Sequence, residues 1–262
     1  MQALTPGLRV DCDYRDDCQC NLLAGFVRVL RNAFEGLKMF YESPIPDPCG
    51  YRSSQCAHAT IDRPFPYKDT YTDDQGSVCA FKYKWHLMQG ALVFLAEHTE
   101  PEANAKQIVV KFTRKYSKAV HELLASNGFV PELFAVEDLA GGWKMVVMEH
   151  LSGWVMLGKK PLQERLKYKE RLESALGIIH DKGLVHGDVR CPNILISMDD
   201  IKFVDFDHCG EEQDVRYPRE WDHRQHLESA KEGELILKGH DNWMLGRIFD
   251  DSVSSPGREF YM

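Results

Sequence analysis

The chain has 262 residues, of which 44% are hydrophobic and 27% are charged, and its formal net charge at pH 7 is −8. This composition is ordinary for a globular protein, and the length suffices for one large domain or for two lobes around a cleft. The acidic balance argues against a general nucleic-acid-binding protein, which normally carries a basic face. No apolar run approaches the roughly 20 residues of a membrane helix, and no basic-then-apolar leader opens the chain. We therefore expect a cytoplasmic or nuclear protein whose partner is neither a nucleic acid nor a membrane.

Residues 1–76 are predicted to form an N-terminal extension. Residues 1–20 are polar, acidic and rich in cysteine, which indicates an irregular arm, and we expect the cysteines of the chain to be free thiols. From Asn21 to about Tyr41 apolar residues recur at steps of three and four, which predicts an amphipathic helix. Residues 43–76 are rich in Pro, Asp, Ser and Tyr, and this composition favours a long wrapping loop.

Strand-like patterns begin near Val78 and predict a first lobe over residues 77–148. A connector over 149–158 leads to a second, compact lobe over 159–262. The first lobe is expected to have a helix at about 117–127 and strands at 77–87, 91–98, 107–112, 133–137 and 143–148. The second lobe is expected to have a helix at about 162–182, a β-hairpin, a loop-rich segment and a last helix that starts near His240 with Asp241 or Asn242 as its cap.

The most informative stretch is HGDVRCPNILISMDDIKFVDFD, residues 186–207. Two apolar runs flank an Asp-rich turn at 198–200, which predicts a β-hairpin with acidic residues at both ends. This hairpin would bring Asp188, Asn193 and Asp205 into one pocket. Asp188 could orient a hydroxyl group there, while Asn193 and Asp205 offer the hard oxygen ligands that Mg²⁺ prefers.

Lys111 ends an apolar strand, and a lysine at that position can reach phosphate groups as a point charge. This strand and the hairpin resemble those of the protein-kinase-like superfamily, and the resemblance implies that the helix that follows carries an acid facing Lys111, with Glu122 as the candidate. His121 fits nearly as well by its spacing from Pro131, so the choice between these two helix positions stays open.

Together these features resemble the protein-kinase-like superfamily. The pattern H-x-D-x-x-x-x-N followed by D-F is similar to its catalytic loop and metal-binding segment, and Val109-Val110-Lys111 is similar to its V-A-I-K strand. The fuller resemblance is to the fungal protein-kinase-like family, which is related to the kinase domains of Crinkler-type effectors and to Bud32-type atypical kinases. The segments that carry it are FPY at 65–67, VVKF at 109–112, VVME at 146–149, GLVHGDVR at 183–190, PNIL at 192–195, VDFD at 204–207, VRYP at 215–218 and HDNWML at 240–245.

The resemblance implies an α+β, bilobal protein-kinase-like fold with a compact, shortened C-lobe and an N-terminal helical extension. It also implies phosphoryl transfer that uses ATP and Mg²⁺. Lys111 would contact the phosphates, Asp188 would orient the acceptor hydroxyl, and Arg190 would steady the γ-phosphate. Asn193 and Asp205 would hold Mg²⁺.

The same resemblance implies an adenine site at the connector between the lobes. The carbonyl of Glu149 and the amide of Leu151 would pair with the purine edge, and Met148 would be the gatekeeper. Val109 would lie above the ring and Leu195 below it.

Several departures from the protein-kinase pattern carry expectations of their own. Gly187 stands where many kinases have the Arg of H-R-D, so control by activation-loop phosphorylation is not expected. Asp207 replaces the glycine of D-F-G and is either a group near the metal or a turn residue. Only Gln89-Gly90 remains of a glycine-rich loop, so ATP affinity is expected to be modest. Asp241 resembles the acid that ties down the catalytic loop.

We therefore expect an ATP-dependent phosphotransferase that acts on Ser or Thr hydroxyls of proteins, including its own. A small-molecule acceptor is the alternative, because the segment that would dock a peptide is short. A pseudokinase that binds only nucleotide or a partner, and a scaffolding effector, are further alternatives. The presence of Lys111, Asp188, Asn193 and Asp205 together favours catalysis over both.

Overall fold

The computed structural model describes residues 17–42, 65–88, 90–99, 107–218 and 230–250. The chain forms two compact units, residues 1–47 and residues 48–262. The first unit contains helix α1 (Asp17–Glu42), which confirms the predicted amphipathic helix. Most of the predicted arm and much of the predicted wrapping loop lie outside the described residues, and the boundaries predicted for the extension and the lobes stay predictions.

The second unit contains a six-stranded sheet whose neighbouring strands are all antiparallel. Its strands are β1 (Thr70–Thr72), β2 (Val78–His86), β3 (Leu92–His98), β4 (Gln107–Thr113), β5 (Leu133–Leu139) and β6 (Trp143–Glu149). In space they follow the order β1-β2-β3-β4-β6-β5. Strands β2 to β6 confirm the strands predicted for the first lobe, with shifts of one or two residues at most ends.

The two edge strands of this sheet curl toward each other. The backbone N–H of Thr72 donates to Glu137 Oε1 at 2.8 Å, and the Tyr71 and Phe134 rings lie 6.5 Å apart. The curved sheet encloses an aromatic core that includes Phe65, Tyr71, Phe81, Tyr83, Phe94 and Phe112. Phe65 and β1 therefore lie in the stretch that composition favoured as a loop, because a three-residue strand leaves too short a pattern to be recognised.

Strand β4 separates the aromatic core from the candidate site, because successive side chains on a strand point to opposite faces. Ile108, Val110 and Phe112 belong to the aromatic core. Lys111 and Thr113 point the other way, where both contact the segment that follows the hairpin.

Helix α2 (Lys118–Ala125) follows β4 and confirms the predicted helix. The helix begins after Ser117, whose side chain accepts a hydrogen bond from Val120 N. The single helix predicted at 162–182 is instead α3 (Leu162–Arg165), one 3₁₀ turn and α4 (Lys169–His180). The turn ends at Tyr168, which is buried and donates its hydroxyl to Met198 O at 2.7 Å.

The predicted hairpin is confirmed as β9 (Ile194–Ser197) and β10 (Asp200–Phe203), in which Ser197 pairs with Asp200 across a two-residue turn. Met198 begins that turn with a positive φ of 50°. A short strand before the hairpin pairs with the other edge of β9, and a two-stranded ladder joins another strand before the hairpin to one after it. The five strands of this part are β7 (Val155–Met156), β8 (Leu184–Val185), β9 (Ile194–Ser197), β10 (Asp200–Phe203) and β11 (Gly210–Glu211), with the pairs β7–β9, β9–β10 and β8–β11.

The last helix is α5 (Lys238–Ile248), and the prediction of Asp241 or Asn242 as its cap is wrong. The cap position is Leu237, and Asp241 lies in the first turn with no exposed surface. Helices α2, α4 and α5 and the hairpin share a second hydrophobic core, which includes Leu124, Leu172, Leu176, Ile179, Ile194, Phe203, Phe206 and Met244. Across the described ranges, no helix combines the length and the apolarity needed to cross a bilayer.

Candidate active site

Lys111 lies at the centre of a buried group of charges. Its ammonium nitrogen donates to Asp205 Oδ1 and to Asp207 Oδ1, both at 2.7 Å, and its side chain is only 11% exposed. Burial alone would lower the pKa of Lys111, but the two carboxylates outweigh that effect and raise it. In return, although burial opposes it, Lys111 holds the pKa of Asp205 well below its usual range. At neutral pH Lys111 and Asp205 therefore form a charged pair.

Asp188, the acid of the predicted catalytic loop, is buried, with 1% of its surface exposed. Asn193 Nδ2 donates to Asp188 O at 2.9 Å and to Asp188 Oδ2 at 2.7 Å. Arg190 Nε donates to Oδ2 at 3.0 Å and lies 2.9 Å from Oδ1. Oδ1 has no hydrogen-bond donor in the described part of the chain. Oδ2 is therefore held by two donors, while Oδ1 is buried and, among the described residues, has only its ion-pair contact with Arg190.

The side chain of Asp241 binds the backbone of this loop. One of its oxygens accepts hydrogen bonds from His186 N at 2.7 Å and from His180 Nε2 at 3.0 Å. The other accepts from Gly187 N at 2.8 Å. The expected tie between Asp241 and the catalytic loop is thus present, and it uses an acid that α5 places inside the core.

Gly187 is the residue that the backbone requires at its position. Its φ is +79°, and a Cβ atom there would lie 2.9 Å from the backbone oxygen of His208. A side chain at 187 would be strained and would also push against the segment after Asp207.

Asn193 and Asp205 come together because the hairpin closes on itself. Val204 N donates to Asn193 O at 2.9 Å, so the next residue, Asp205, follows directly beside Asn193. Asp205 has a positive φ of 71°, a strained conformation that the surrounding contacts hold. The amide nitrogen of Asn193 donates to Asp188, and within the described ranges no hydrogen bond engages its amide oxygen, which could therefore be a metal ligand. An amide oxygen and a carboxylate fit the ligand preference of Mg²⁺.

Two of the apolar residues predicted for the adenine site, Val109 and Met148, share the face of the sheet that carries Lys111. Val109 pairs with Met148 across β4 and β6, two residues from Lys111 on the same face. Leu195, on β9, pairs with Met156, which lies within the predicted connector. Glu149 ends β6 and donates its backbone N–H to Glu132 O at 2.8 Å, while Leu151 O accepts from Trp154 N at 3.3 Å. Their roles toward adenine remain a proposal.

The structure does not bring Glu122 to Lys111, which corrects that prediction. Glu122 is 57% exposed, pairs with Lys118 at 3.4 Å, and lines a surface pocket of about 450 Å³ with Val130 and Lys202. The inward position on α2 is His121, the alternative that its spacing had left open. Its Nε2 lies 2.8 Å from the carbonyl of Pro131 and its ring lies 4.8 Å from that of Phe206.

One further residue of the site, Thr113, was not predicted, and the sequence left the role of its partner Asp207 open. Thr113 continues the inward face of β4 two residues after Lys111, and its hydroxyl donates to Asp207 Oδ2 at 2.8 Å. Strand alternation could have identified Thr113, whereas its pairing with Asp207 depends on tertiary structure. Burial and repulsion from Asp205 raise the pKa of Asp207, and Lys111 opposes both effects.

The chain is similar to parts of several curated proteins. It is 32% identical over 80 residues to the KEOPS complex subunit Bud32 of Pyrococcus abyssi, which covers 29% of this chain and 35% of that protein. It is 30% identical over 117 residues to a probable serine/threonine-protein kinase of Clostridium acetobutylicum, covering 42% of this chain and 17% of that protein. The matches thus span about a third or less of these relatives. They confirm the kinase-like superfamily and the Bud32 resemblance, while the fungal origin and the Crinkler relation stay predictions.

Two solved structures show the fold. Vaccinia related kinase 3 matches with a TM-score of 0.54 at 16% identity, over 71% of this chain and 68% of that one. The Cydia pomonella granulovirus kinase PK-1 matches with a TM-score of 0.51 at 17% identity, over 64% of this chain and 68% of that one. Both confirm the predicted α+β protein-kinase-like fold.

The RIO domain family matches residues 80–216, which is more than half of the chain. The matched stretch runs from β2 through the hairpin and contains Lys111, Asp188, Asn193 and Asp205. This protein therefore belongs to the RIO domain family, within the atypical protein-kinase-like superfamily.

Proposed function

We propose that this chain is an ATP-dependent phosphotransferase that works with Mg²⁺. The observation that carries the proposal is the convergence of Lys111, Asp188, Asn193 and Asp205 in one hydrogen-bonded group. The kinase-like family to which the chain belongs generally uses ATP and Mg²⁺.

Each of these side chains has a task in the proposed reaction. Lys111 would bind phosphate oxygens, and Asn193 and Asp205 would hold the metal ion through their oxygens. When bound, Mg²⁺ supplies positive charge that offsets the charge of the phosphates. Asp205 can turn to the metal because its present partner, Lys111, has a second carboxylate in Asp207.

Asp188 is the group that we assign to the acceptor. Its carboxylate, whose present partners are Asn193 and Arg190, would accept the hydrogen bond of an alcohol hydroxyl and orient the oxygen toward the γ-phosphorus of ATP. The new bond joins that oxygen to phosphorus, the bond to the ADP oxygen breaks, and the hydroxyl proton leaves through Asp188. Arg190, which is partly exposed beside Asp188, would steady the transferred phosphoryl group.

Ser and Thr hydroxyls of proteins are the acceptors that we propose first. Their support is the similarity to a protein named as a probable serine/threonine-protein kinase. A small-molecule alcohol is the second candidate. The segment between Asp207 and α5 is the one that would dock a peptide, and β11 is the only strand among its described residues. The Pyrococcus abyssi relative is named as a subunit of a complex, and a protein partner for this chain is proposed on the same ground.

A nucleotide-binding module without transfer activity is the alternative from another class. It is favoured by the hairpin between β2 and β3, where Gly90 is the only glycine. A short turn of this kind offers few backbone amides to the phosphates.

The test is transfer from γ-labelled ATP, with Mg²⁺, to the protein itself, to a generic protein and to a set of small alcohols. We expect transfer by the wild type and a loss of about 10²- to 10⁴-fold in Asp188→Asn, the usual contribution of a positioned acid–base group. Asp199→Asn is the matched control, since the Asp199 side chain is 94% exposed in the hairpin turn. Binding of Mg-ATP without transfer to any acceptor would contradict the phosphotransferase and favour the module.

A further inference from the structure

Asp207 is bound to β4 through both of its oxygens. Oδ1 accepts from Lys111 Nζ at 2.7 Å, and Oδ2 accepts from Thr113 Oγ1 at 2.8 Å. The Thr113 hydroxyl has one proton, for which Asp207 Oδ2 at 2.8 Å is the nearer acceptor and Lys115 O at 3.1 Å the farther one. Since Lys111 and Thr113 lie two residues apart on one face of β4, a single carboxylate can bridge them. A residue that only formed a turn would need neither contact.

The bridge matters because Lys111 is buried and needs a carboxylate partner. In this structure it has two, Asp205 and Asp207. The proposed function assigns Asp205 to the metal, and a carboxylate bound to Mg²⁺ is a weaker partner for a lysine. Asp207 would then be the main carboxylate partner of Lys111, and its hydrogen bond to Thr113 fixes the position of its carboxylate.

Helix α2 does not offer a competing anchor. Its acid, Glu122, is exposed and pairs with Lys118. The helix is joined to the same segment in another way: Ser117 N donates to Phe206 O at 3.0 Å, and the His121 ring packs on the Phe206 ring. The helix thus stabilises the position of Phe206, while Lys111 is held by the residue that follows Phe206.

We propose that Asp207 is the positioning residue for Lys111. With Thr113 it holds the lysine ammonium at the phosphate site while Asp205 engages the metal. The identity of the ligand rests on the proposed function, whereas the anchor itself belongs to the protein without nucleotide. One consequence is that an outward movement of α2 would not release the lysine, because the anchor joins β4 directly to the segment after the hairpin.

The anchor is tested first without nucleotide, by two double-mutant cycles in urea unfolding. The first cycle combines Lys111→Met with Asp207→Asn, and the second combines Lys111→Met with Glu122→Gln. We expect the first pair to be coupled by about tenfold in the unfolding equilibrium constant, and the second pair to be additive. An additive first cycle, or coupling in the second cycle alone, would overturn the anchor.

The positioning role is tested next, by titration calorimetry with Mg-ATP. We expect Asp207→Asn to weaken binding about tenfold, as for a lost hydrogen bond between charged groups, and Thr113→Val to weaken it less. Asp199→Asn, the exposed acid of the hairpin turn, is the matched control and should bind as the wild type does.

The possible results separate the two proposals. A coupled first cycle with wild-type affinity in Asp207→Asn would overturn the positioning role and leave the proposed function standing. If the first cycle is coupled but the wild type binds no Mg-ATP, the anchor is supported and the proposed function is contradicted.

Discussion

Gly187 and Gly183 have nearly the same backbone conformation and very different surroundings. Their φ angles are +79° and +74°, but a Cβ atom at 187 would lie 2.9 Å from His208 O, whereas one at 183 would meet nothing within 4 Å. Gly183→Ala should therefore cost about 1–2 kcal/mol of unfolding free energy, the cost of a side chain at positive φ. Gly187→Ala should cost clearly more, since the backbone at His208 must also move.

Urea unfolding of the two variants measures this difference directly. Equal losses in Gly187→Ala and Gly183→Ala would mean that the contact with His208 is not tight. The sequence predicts that position 187 departs from the kinase pattern, but it cannot give the reason. The backbone that excludes a side chain comes from the segment after Asp207, and only the fold brings the two together.

The orientation of helix α2 is the clearest case in which an element was predicted and its inward residue was not. His121 and Glu122 point in directions about 100° apart around the helix axis. Their spacing from Pro131 does not tell which of these two directions faces Lys111. Packing decides it: His121 is fully buried between Pro131 and Phe206, while Glu122 remains in solvent. A buried histidine at this position gives the protein a property that an exposed histidine would not have.

That property is a dependence of stability on pH. Burial lowers the pKa of His121 from its ordinary value of 6.5, so the folded protein resists the proton that the unfolded chain accepts. The contribution of His121 to stability is complete above about pH 6.5 and is lost as the pH falls below that value toward the lowered pKa. The free energy of unfolding should therefore fall between about pH 7.5 and about pH 5.5, and less steeply in His121→Gln.

The comparison of urea midpoints at these two pH values tests this prediction. Other buried groups titrate in both proteins, so the relevant quantity is the difference between the wild type and His121→Gln. Parallel losses in the two proteins would show that His121 is not held neutral by its burial.

For the other helices and strands, the local pattern of apolar and turn residues predicted an element well when the element is long and regular. The hairpin was predicted because two apolar runs flank an Asp-rich turn, and strands β2 to β6 because their runs are long. Strand β1 has only three residues and pairs with β2, and the break between α3 and α4 places Tyr168 in the core. Both depend on contacts that no short window of sequence contains.

At the scale of the whole molecule, the site depends on pairs of residues that are far apart in sequence. Lys111 and Asp205 are 94 positions apart, and the loop of Asp188 is held by an acid of the last helix. The sequence predicted this convergence through its resemblance to kinase-like motifs, because the order and spacing of the four residues match. It could not predict the bridge from Thr113 to Asp207, which arises where the inward face of β4 meets the segment after the hairpin.

The charged group lies where β4 meets the segment after the hairpin. The aromatic core of the sheet stabilises β4, and the second core, shared by the helices, stabilises that segment. Phe112 lies in one core next to Lys111, and Phe206 lies in the other between Asp205 and Asp207. The charged group is therefore attached to both cores at once, and its position does not depend on exposed loops. We expect a nucleotide bound there to stabilise the second unit as a whole.

The most direct measurement is a calorimetric titration of ATP, with and without Mg²⁺, into the wild type and into Asp205→Ala. The account predicts one site per chain in the wild type, with affinity that rises when Mg²⁺ is present, and loss of that rise in Asp205→Ala. It would be contradicted by a wild type that binds no ATP under either condition, or by an Asp205→Ala protein whose affinity gains as much from Mg²⁺ as the wild type does.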